Sequence, residues 1–416
     1  MLNTIQQQTF DLVLGGQSIT FITGSAGVGK SYLAGEIINQ FDDVTLVAST
    51  HKAKAVLAQM SGKPASTIHS YLGYALVAKN YTHTLVGGNK KFDNVDLVVL
   101  DEISMCPQRL LTHVLQLVHD GTIQQLIILG DPVQLKAVSN PPDLSVLAPH
   151  RIELTQQMRQ VEEDPKLAEY FSSLRSAIET TKMPSLAADL DNITFIDDHR
   201  EFCRLYNECK TNKKIIAYRN SVVDKYNSHI HGTDVFNIGD DITIDKPLGR
   251  SKNQDLVKIQ KVDQDDEKYT LVVQDAYGQP HTIFHYKVIH VINAKLDALK
   301  AAGDEVKYWK LYDVCFRLKH EYAATVHKCQ GESYETVFLD GDDLTSAYQA
   351  KKTRWNNPIN LDTFLRLYYV ALSRMKKHTY VYTGASSKGR FYDKLERKSP
   401  KPSKKQKKRV VSKGNK

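Results

Sequence analysis

"FITGSAGVGKSYLAGEII", residues 21–38, is the stretch from which the fold can be read. Phe21–Thr23 has the apolar character of a buried strand end, and Leu33, Ile37 and Ile38 recur at helical spacing beyond the glycine-rich loop. Between strand and helix, Gly24, Gly29, Lys30 and Ser31 fit G-x-x-x-x-G-K-[ST]. Small residues there allow backbone N–H groups to close around a polyphosphate at a helix N-terminus, where the helix dipole favours anions. The candidate nucleotide cradle is therefore Gly24, Ser25, Ala26, Gly27, Val28, Gly29, Lys30 and Ser31, with Lys30 reaching the β/γ oxygens and Ser31 a ligand for Mg²⁺. A plain glycine turn is the alternative, and the flanking strand and helix speak against it.

Further along, "VDLVVLDEISM" (95–105) reads as an apolar strand, continuous over Leu97–Leu100 and ending in two carboxylates, the form of a parallel strand buried on both faces. Asp101 would hold Mg²⁺ through water, and Glu102 would orient the attacking water. The second acid is a need of an ATP hydrolase rather than of a GTPase or small-molecule kinase. Another buried strand, "QLIILGDPVQL" (125–135), ends in Gly130, Asp131 and Gln134. Placed beside the carboxylate strand, it would bring Gln134 to the γ-phosphate. At the ends of "VTLVAST" and "STIHSYLG", the groups Thr50, His51, Lys52, Thr67 and His69 suit a sugar-phosphate backbone. Taken singly, each is equally an N-cap or a surface residue.

The 416 residues are enough for about two to four domains. The net charge of +8 is local: residues 397–416 hold ten Lys/Arg and no acid, and the remainder stands at −2. That tail is expected to be disordered and to act as a salt-sensitive nucleic-acid anchor, a solubilising segment or an import signal. Five scattered cysteines without paired C-x-x-C spacing point to reduced thiols and away from zinc. Without a 20-residue apolar span or a signal peptide, a soluble, cytoplasmic protein is expected.

The order of these motifs, continued downstream, resembles superfamily-one DNA helicases of the RecD-like and Dda-like 5′-to-3′ branch. "LNTIQQQTF" (2–10) resembles the family's glutamine motif, in which Gln6 would pair with adenine. "ELTQQMRQ" (153–160) resembles the segment that supplies Arg159 to the γ-phosphate. "KIIAYRNSVVDKYN" (214–227) resembles the opening of a second motor core. "YAATVHKCQGESYETVFLD" (322–340) carries Thr325, His327, Lys328, Gln330 and Gly331 in register with the fifth motif. "LRLYYVALSRMKKHTYVY" (365–382) carries Arg374 where the family has a second arginine finger.

The resemblance implies an α/β fold with two tandem RecA-like P-loop NTPase cores. The first would span 1–155 with a hairpin insert near 70–93, and the second 156–390 with an SH3-like β-barrel insert near 231–317, before a basic tail at 391–416. Alternating Tyr81, His83 and Leu85, followed by Gly87, Gly88 and Asn89, read as a small hairpin turning on its glycines. In this family such an insert is a strand-splitting pin, and Phe92, Tyr81 and Leu85 are the candidate wedges. Between 231 and 317, "VFNIGDDITIDKPLG", "QDLVKIQKVDQDDEKYTLVVQD" and "GQPHTIFHYKVIHVI" alternate as strands of a small antiparallel barrel. Trp309 and Tyr312 are either base-stacking groups or core contacts.

The function implied is an ATP- and Mg²⁺-dependent DNA helicase moving 5′ to 3′ on single-stranded DNA. A phage-encoded monomer in a bacterial cytoplasm is expected, acting on forked DNA in replication, recombination or repair, with single-strand-binding or replication proteins as partners. A DNA-stimulated translocase that unwinds poorly and an ATP-gated DNA-binding module are the alternatives. A strand-exchange recombinase, which needs one core, is disfavoured by motifs that continue for two hundred residues past the first.

Overall fold

The protein is described here by a computed structural model covering residues 2–384, except 26, 80, 89, 138–139, 157–164, 184–189, 232–235, 250, 252–254, 276 and 351–357. The basic tail thus lies outside the described residues. The chain divides into two compact units, one of residues 1–162 and 221–324 and one of 163–220 and 325–416. No helix among the described residues is long and apolar enough to cross a membrane.

In the first unit a six-stranded sheet has the order Ala65–Thr67, Val44–Ala48, Val95–Asp101, Ile123–Gly130, Ile19–Gly24, Arg151–Leu154, with neighbours parallel throughout. Within the strand Val95–Asp101, the apolar run Leu97–Leu100 is buried on both faces. Leu97 and Val99 join Leu33, Ile37 and Leu46 on one side, while Val98 and Leu100 join Leu110, Leu111 and Val114 on the other. A strand that must satisfy two cores has no room for the polar residues of a half-exposed strand. Because all six strands run the same way, the ends of the Ile19, Val44, Ala65, Val95 and Ile123 strands meet at one carboxyl edge. Parallel α/β sheets bind ligands at that edge.

The hairpin insert forms from Tyr74–Lys79 and Thr82–Gly87, but its turn is not at the glycines. Lys79 pairs with Thr82, and Tyr81 between them takes φ 59°. Gly87 and Gly88 instead close the base. A Cβ on Gly87 would lie 2.1 Å from the Gly73 carbonyl oxygen, and one on Gly88 would lie 2.5 Å from the Tyr74 ring. The glycine pair is therefore there for close approach, and it leaves the turn to other residues.

A five-stranded antiparallel sheet follows in the same unit, ordered Pro280–Tyr286, Lys268–Gln274, Leu256–Gln264, Asp241–Thr243, Lys319–His320. Its core includes Ile242, Ile259, Leu271, Val273 and Ile283. The expected strand "GQPHTIFHYKVIHVI" stops at Tyr286, and a helix occupies Ile289–Ala301. Ile289, Ile292, Leu296 and Leu299 recur at intervals of three and four, so helical periodicity overrides the local alternation. A second helix, Glu305–Val314, carries Trp309 and Tyr312. Neither is fully buried, and the two rings meet edge-on at 5.3 Å.

The second unit is built on a sheet ordered Ala323–Thr325, Lys213–Ala217, Tyr334–Asp340, Met375–Tyr382, Ile193–Ile196, whose last four strands are parallel. Phe364–Leu372 is buried without a break in the helix Leu361–Leu372, as in a helix surrounded by core.

Candidate nucleotide-binding site

The loop after Ile19–Gly24 has the backbone its sequence requires: Gly24, Gly27 and Gly29 take φ of 147°, 92° and 79°. At Gly24 a side chain is excluded by contact as well, since a Cβ would lie 2.4 Å from the Leu154 carbonyl oxygen. Gly29 precedes the helix Lys30–Ile38, so Lys30 and Ser31 open its first turn. The Lys30 ammonium donates to the carbonyls of Gly24 at 2.7 Å and Ser25 at 2.8 Å. Ala26 lies outside the described residues.

Gln6 is fully buried and serves this loop structurally. Its amide oxygen accepts from the Asn3 N–H at 3.0 Å in a reciprocal capping box, and its NH₂ donates to the Val28 carbonyl at 3.4 Å. The N-terminal helix is thereby tied to the phosphate loop.

Asp101 ends its strand opposite Ala48, and its carbonyl accepts from the Ser49 N–H at 3.2 Å. Glu102 follows in the left-handed region at φ 55°, with its N–H donating to the Asp101 carboxylate at 2.8 Å. A non-glycine residue in this region carries backbone strain, which structures keep where a side chain must be aimed. The Asp101 carboxyl is pushed up to about 7, first by burial and then by the Glu102 carboxylate, against the pull of the Glu102 N–H and Lys30. Without ligand, the folded state therefore keeps a proton that the unfolded chain releases near pH 4. That stability is complete below about pH 4 and is lost as pH rises toward 7. Asp101→Asn is accordingly expected to raise the unliganded melting temperature at pH 8, with the gain vanishing near pH 4, while turnover falls. Calorimetry across pH checks this, and an unchanged melting temperature at pH 8 would contradict it.

Beside it, Ile123–Gly130 delivers Asp131 and Gln134. Asp131, 1% exposed, accepts from the Val133 N–H and from the Gln134 amide at 3.4 Å. Asp131 thus positions Gln134. The sequence placed it at the strand end without giving it that role, and its only signal was an acid three residues before the glutamine. Gly130 is also required by contact, since a Cβ would lie 2.6 Å from Ile103, the residue after Glu102. The carboxylate turn and the glutamine turn are packed against each other.

Thr50 and Thr67 are N-caps, accepting from the N–H groups of Ala53 and Ser70. They sit at the same carboxyl edge, so capping and an exposed edge position coexist. His51 is exposed, the Lys52 side chain is not among those described, and burial lowers the His69 pKa. Phe92 does not lie at the hairpin tip. It packs at the base against Tyr71 and His113, at 5.4 and 6.2 Å. The tip residue Tyr81 meets Tyr308 edge-on at 4.9 Å, and the Leu85 side chain is not among those described.

In the second unit, Thr325 is buried and its carbonyl accepts from the Lys328 and Cys329 N–H groups. Burial lowers the His327 pKa, Gln330 is buried, and Gly331 takes φ 83°. Arg374 is 4% exposed. Its guanidinium donates to the carbonyls of Val370 at 3.0 Å and Glu332 at 3.1 Å and to the Ser373 hydroxyl at 2.9 Å. Arg374→Ala would strand the buried Val370 carbonyl, a contact worth about 1.5–3 kcal/mol to a charged donor, and free the part-buried Glu332 carbonyl. A lowered urea midpoint is expected, and an unchanged one would remove the structural role. Arg159 lies outside the described residues. Sequence reasoning also missed Asp343, which is buried, accepts from the N–H groups of Tyr218 and Arg219 and pairs with the Arg219 guanidinium. It lies 124 residues from Arg219, and no local pattern marks it.

A glycine cradle opening a helix, a lysine in its first turn, and a carboxylate pair with a glutamine at one parallel-sheet edge define a P-loop nucleotide-binding unit. Residues 1–198 match the family model described as an AAA domain. The chain is similar to helicases of the RecD2, Dda and Pif1 group. It is 31% identical over 158 residues to the ATP-dependent RecD2 DNA helicase of Deinococcus radiodurans, covering 36% of this chain and 21% of that protein. It is 25% identical over 254 residues to the ATP-dependent DNA helicase Dda of Enterobacteria phage T4, covering 55% and 56%. The chain thus spans about a fifth to about half the length of these curated relatives. Among solved structures, Pif1 helicase from Candida albicans shares the fold with a TM-score of 0.53 and 19% identity, over 96% of this chain and 100% of that one. The mixed α/β architecture with parallel sheets is in keeping with a RecA-like helicase core.

Proposed function

We propose that the chain is an ATP-dependent DNA helicase that moves 5′ to 3′ on single-stranded DNA and opens forked duplexes. The observation that carries this reading is the convergence of Lys30, Asp101, Glu102 and Gln134 on one carboxyl edge. Three positive-φ glycines and an inward lysine suit a polyphosphate, and Ser31 and Asp101 would hold Mg²⁺. When bound, the ion neutralises charge on the β- and γ-oxygens.

The chain's own residues supply position and charge. Lys30 exchanges its loop carbonyls for phosphate oxygens, Glu102 holds the attacking water, and Gln134, oriented by Asp131, reports the γ-phosphate. Arg159 and Arg374 are assigned as arginine fingers, Gln6 as the adenine contact and Gly331 as part of the cradle. For Arg374 and Gln6 this assignment requires release from the hydrogen bonds described above. Thr50, His51, Lys52, Thr67, His69, Thr325, His327 and Lys328 are assigned to the sugar-phosphate backbone. The antiparallel sheet of 241–320 is assigned as the SH3-like insert, and the hairpin with Tyr81 at its tip as the pin.

The test is ATP-dependent unwinding of duplexes with only a 5′ or only a 3′ single-stranded tail, beside hydrolysis with and without single-stranded DNA. Unwinding from the 5′ tail alone is expected. DNA-stimulated hydrolysis without unwinding would make the protein a translocase, and hydrolysis indifferent to DNA would sink the helicase reading. Deleting 397–416 is expected to lower DNA affinity at low salt, to flatten the slope of log K against log salt and to spare kcat. An unchanged slope would remove the tail as a DNA anchor.

A further inference from the structure

The strand Ile193–Ile196 is the last of the second unit's sheet, paired on one side with Met375–Tyr382. Along it lies a groove of about 360 Å³ with Leu190 and Phe195 among its lining residues and Asp191 and Asp197 as its acids. Both aspartates are exposed, and neither has an ion-pair partner among the described residues. By contrast, Glu201 and Glu208 of the same unit are held by Arg204, and Glu335 by Lys377.

The chain leaves the described structure at this groove. Thr383 lines it and donates its N–H to the Ile196 carbonyl at 2.8 Å. The next residue, Gly384, takes φ 74°, and a Cβ there would lie 2.6 Å from the Asp342 carboxylate. The surroundings are negative: after burial, the carboxylates of Asp342, Asp340 and Asp198 raise the Tyr382 phenol. Beyond this exit come the ten cations of 397–416. The connection 385–396 spans about 40 Å when extended, enough for the tail to double back.

We propose that the basic segment 397–416 docks in cis on this groove, its lysines and arginines against Asp191 and Asp197. Exposed ion pairs are individually weak. A short tether, however, supplies an effective concentration in roughly the millimolar range, so contacts too weak for a free peptide hold an attached one. Pro400 and Pro402 lack the N–H that strand addition needs, so charge rather than strand pairing leads the contact. This docking does not depend on the helicase reading.

The experiment uses the full chain without DNA. Trypsin cleavage within 397–416 is followed by mass spectrometry at low and at 0.5 M salt, for wild type and for the Asp191→Asn/Asp197→Asn double variant. Wild-type tail cleavage is expected to be several-fold slower than the variant's at low salt, with the difference lost at high salt. Carbodiimide is expected to link tail lysines to Asp191 or Asp197 in a yield independent of protein concentration. Equal cleavage rates at low salt would overturn the proposal. So would links that grow with concentration, which mark contacts between copies, or links that fall on other acids.

Discussion

Glu102→Gln is expected to bind nucleotide as tightly as wild type and to hydrolyse it about 10²- to 10⁴-fold more slowly. The side chain keeps its size, and its N–H still donates to the Asp101 carboxylate, so the strained turn at φ 55° survives. Only the ability to accept a proton from the attacking water is removed. Single-turnover hydrolysis beside equilibrium nucleotide binding separates the two effects. Near-normal turnover would take the water-positioning role away from Glu102, and lost binding would show that the substitution had disturbed the loop.

Lys30→Ala is expected to act earlier, on binding itself, and to lower kcat/KM by about 10²- to 10³-fold, the usual range for removing one charged or hydrogen-bonding partner of a transition state. The ammonium lies within hydrogen-bond distance of two loop carbonyls, Gly24 and Ser25, and so is held where a polyphosphate would lie. Its loss costs the cradle its one formal charge in the helix's first turn. Protein stability should change little beside this, because the hydrogen bonds lost are to part-buried carbonyls that water can satisfy. The paired measurement is a melting curve with and without Mg-nucleotide. Wild type should gain stability with nucleotide and the variant should not. An equal shift in both would show that Lys30 is dispensable for binding.

Both predictions were open to the sequence, because their residues sit in stretches that specify their own backbone. The glycine spacing of 24–29 fixes a left-handed loop whatever surrounds it. The run Leu97–Leu100 reads as a strand with two buried faces, since a parallel strand between helices is apolar without alternation. The carboxylates follow at its carboxyl end, the edge where parallel sheets place their ligand groups.

What local spacing could not fix was which groups meet across long separations. Gly87 and Gly88 look like a turn, yet contact with Gly73 and Tyr74 decides that they close the hairpin's base, and Phe92 is drawn into the core beside them. Residues 289–301 alternate at first like a strand, and become a helix because apolar side chains continue at intervals of three and four. Gln6 and Arg374 were legible as family positions, while their hydrogen bonds to Val28, Val370 and Glu332 were not. Asp131 and Asp343 gained roles only through partners that folding brings to them. The sequence by itself therefore determined the phosphate loop, the buried parallel strands and the order of the motifs, all set by backbone sterics and burial period within about ten residues. The tertiary structure alone decided which carbonyls, carboxylates and rings those residues touch, because a buried polar group is satisfied by whatever the closed chain places within 3 Å of it, however distant in sequence.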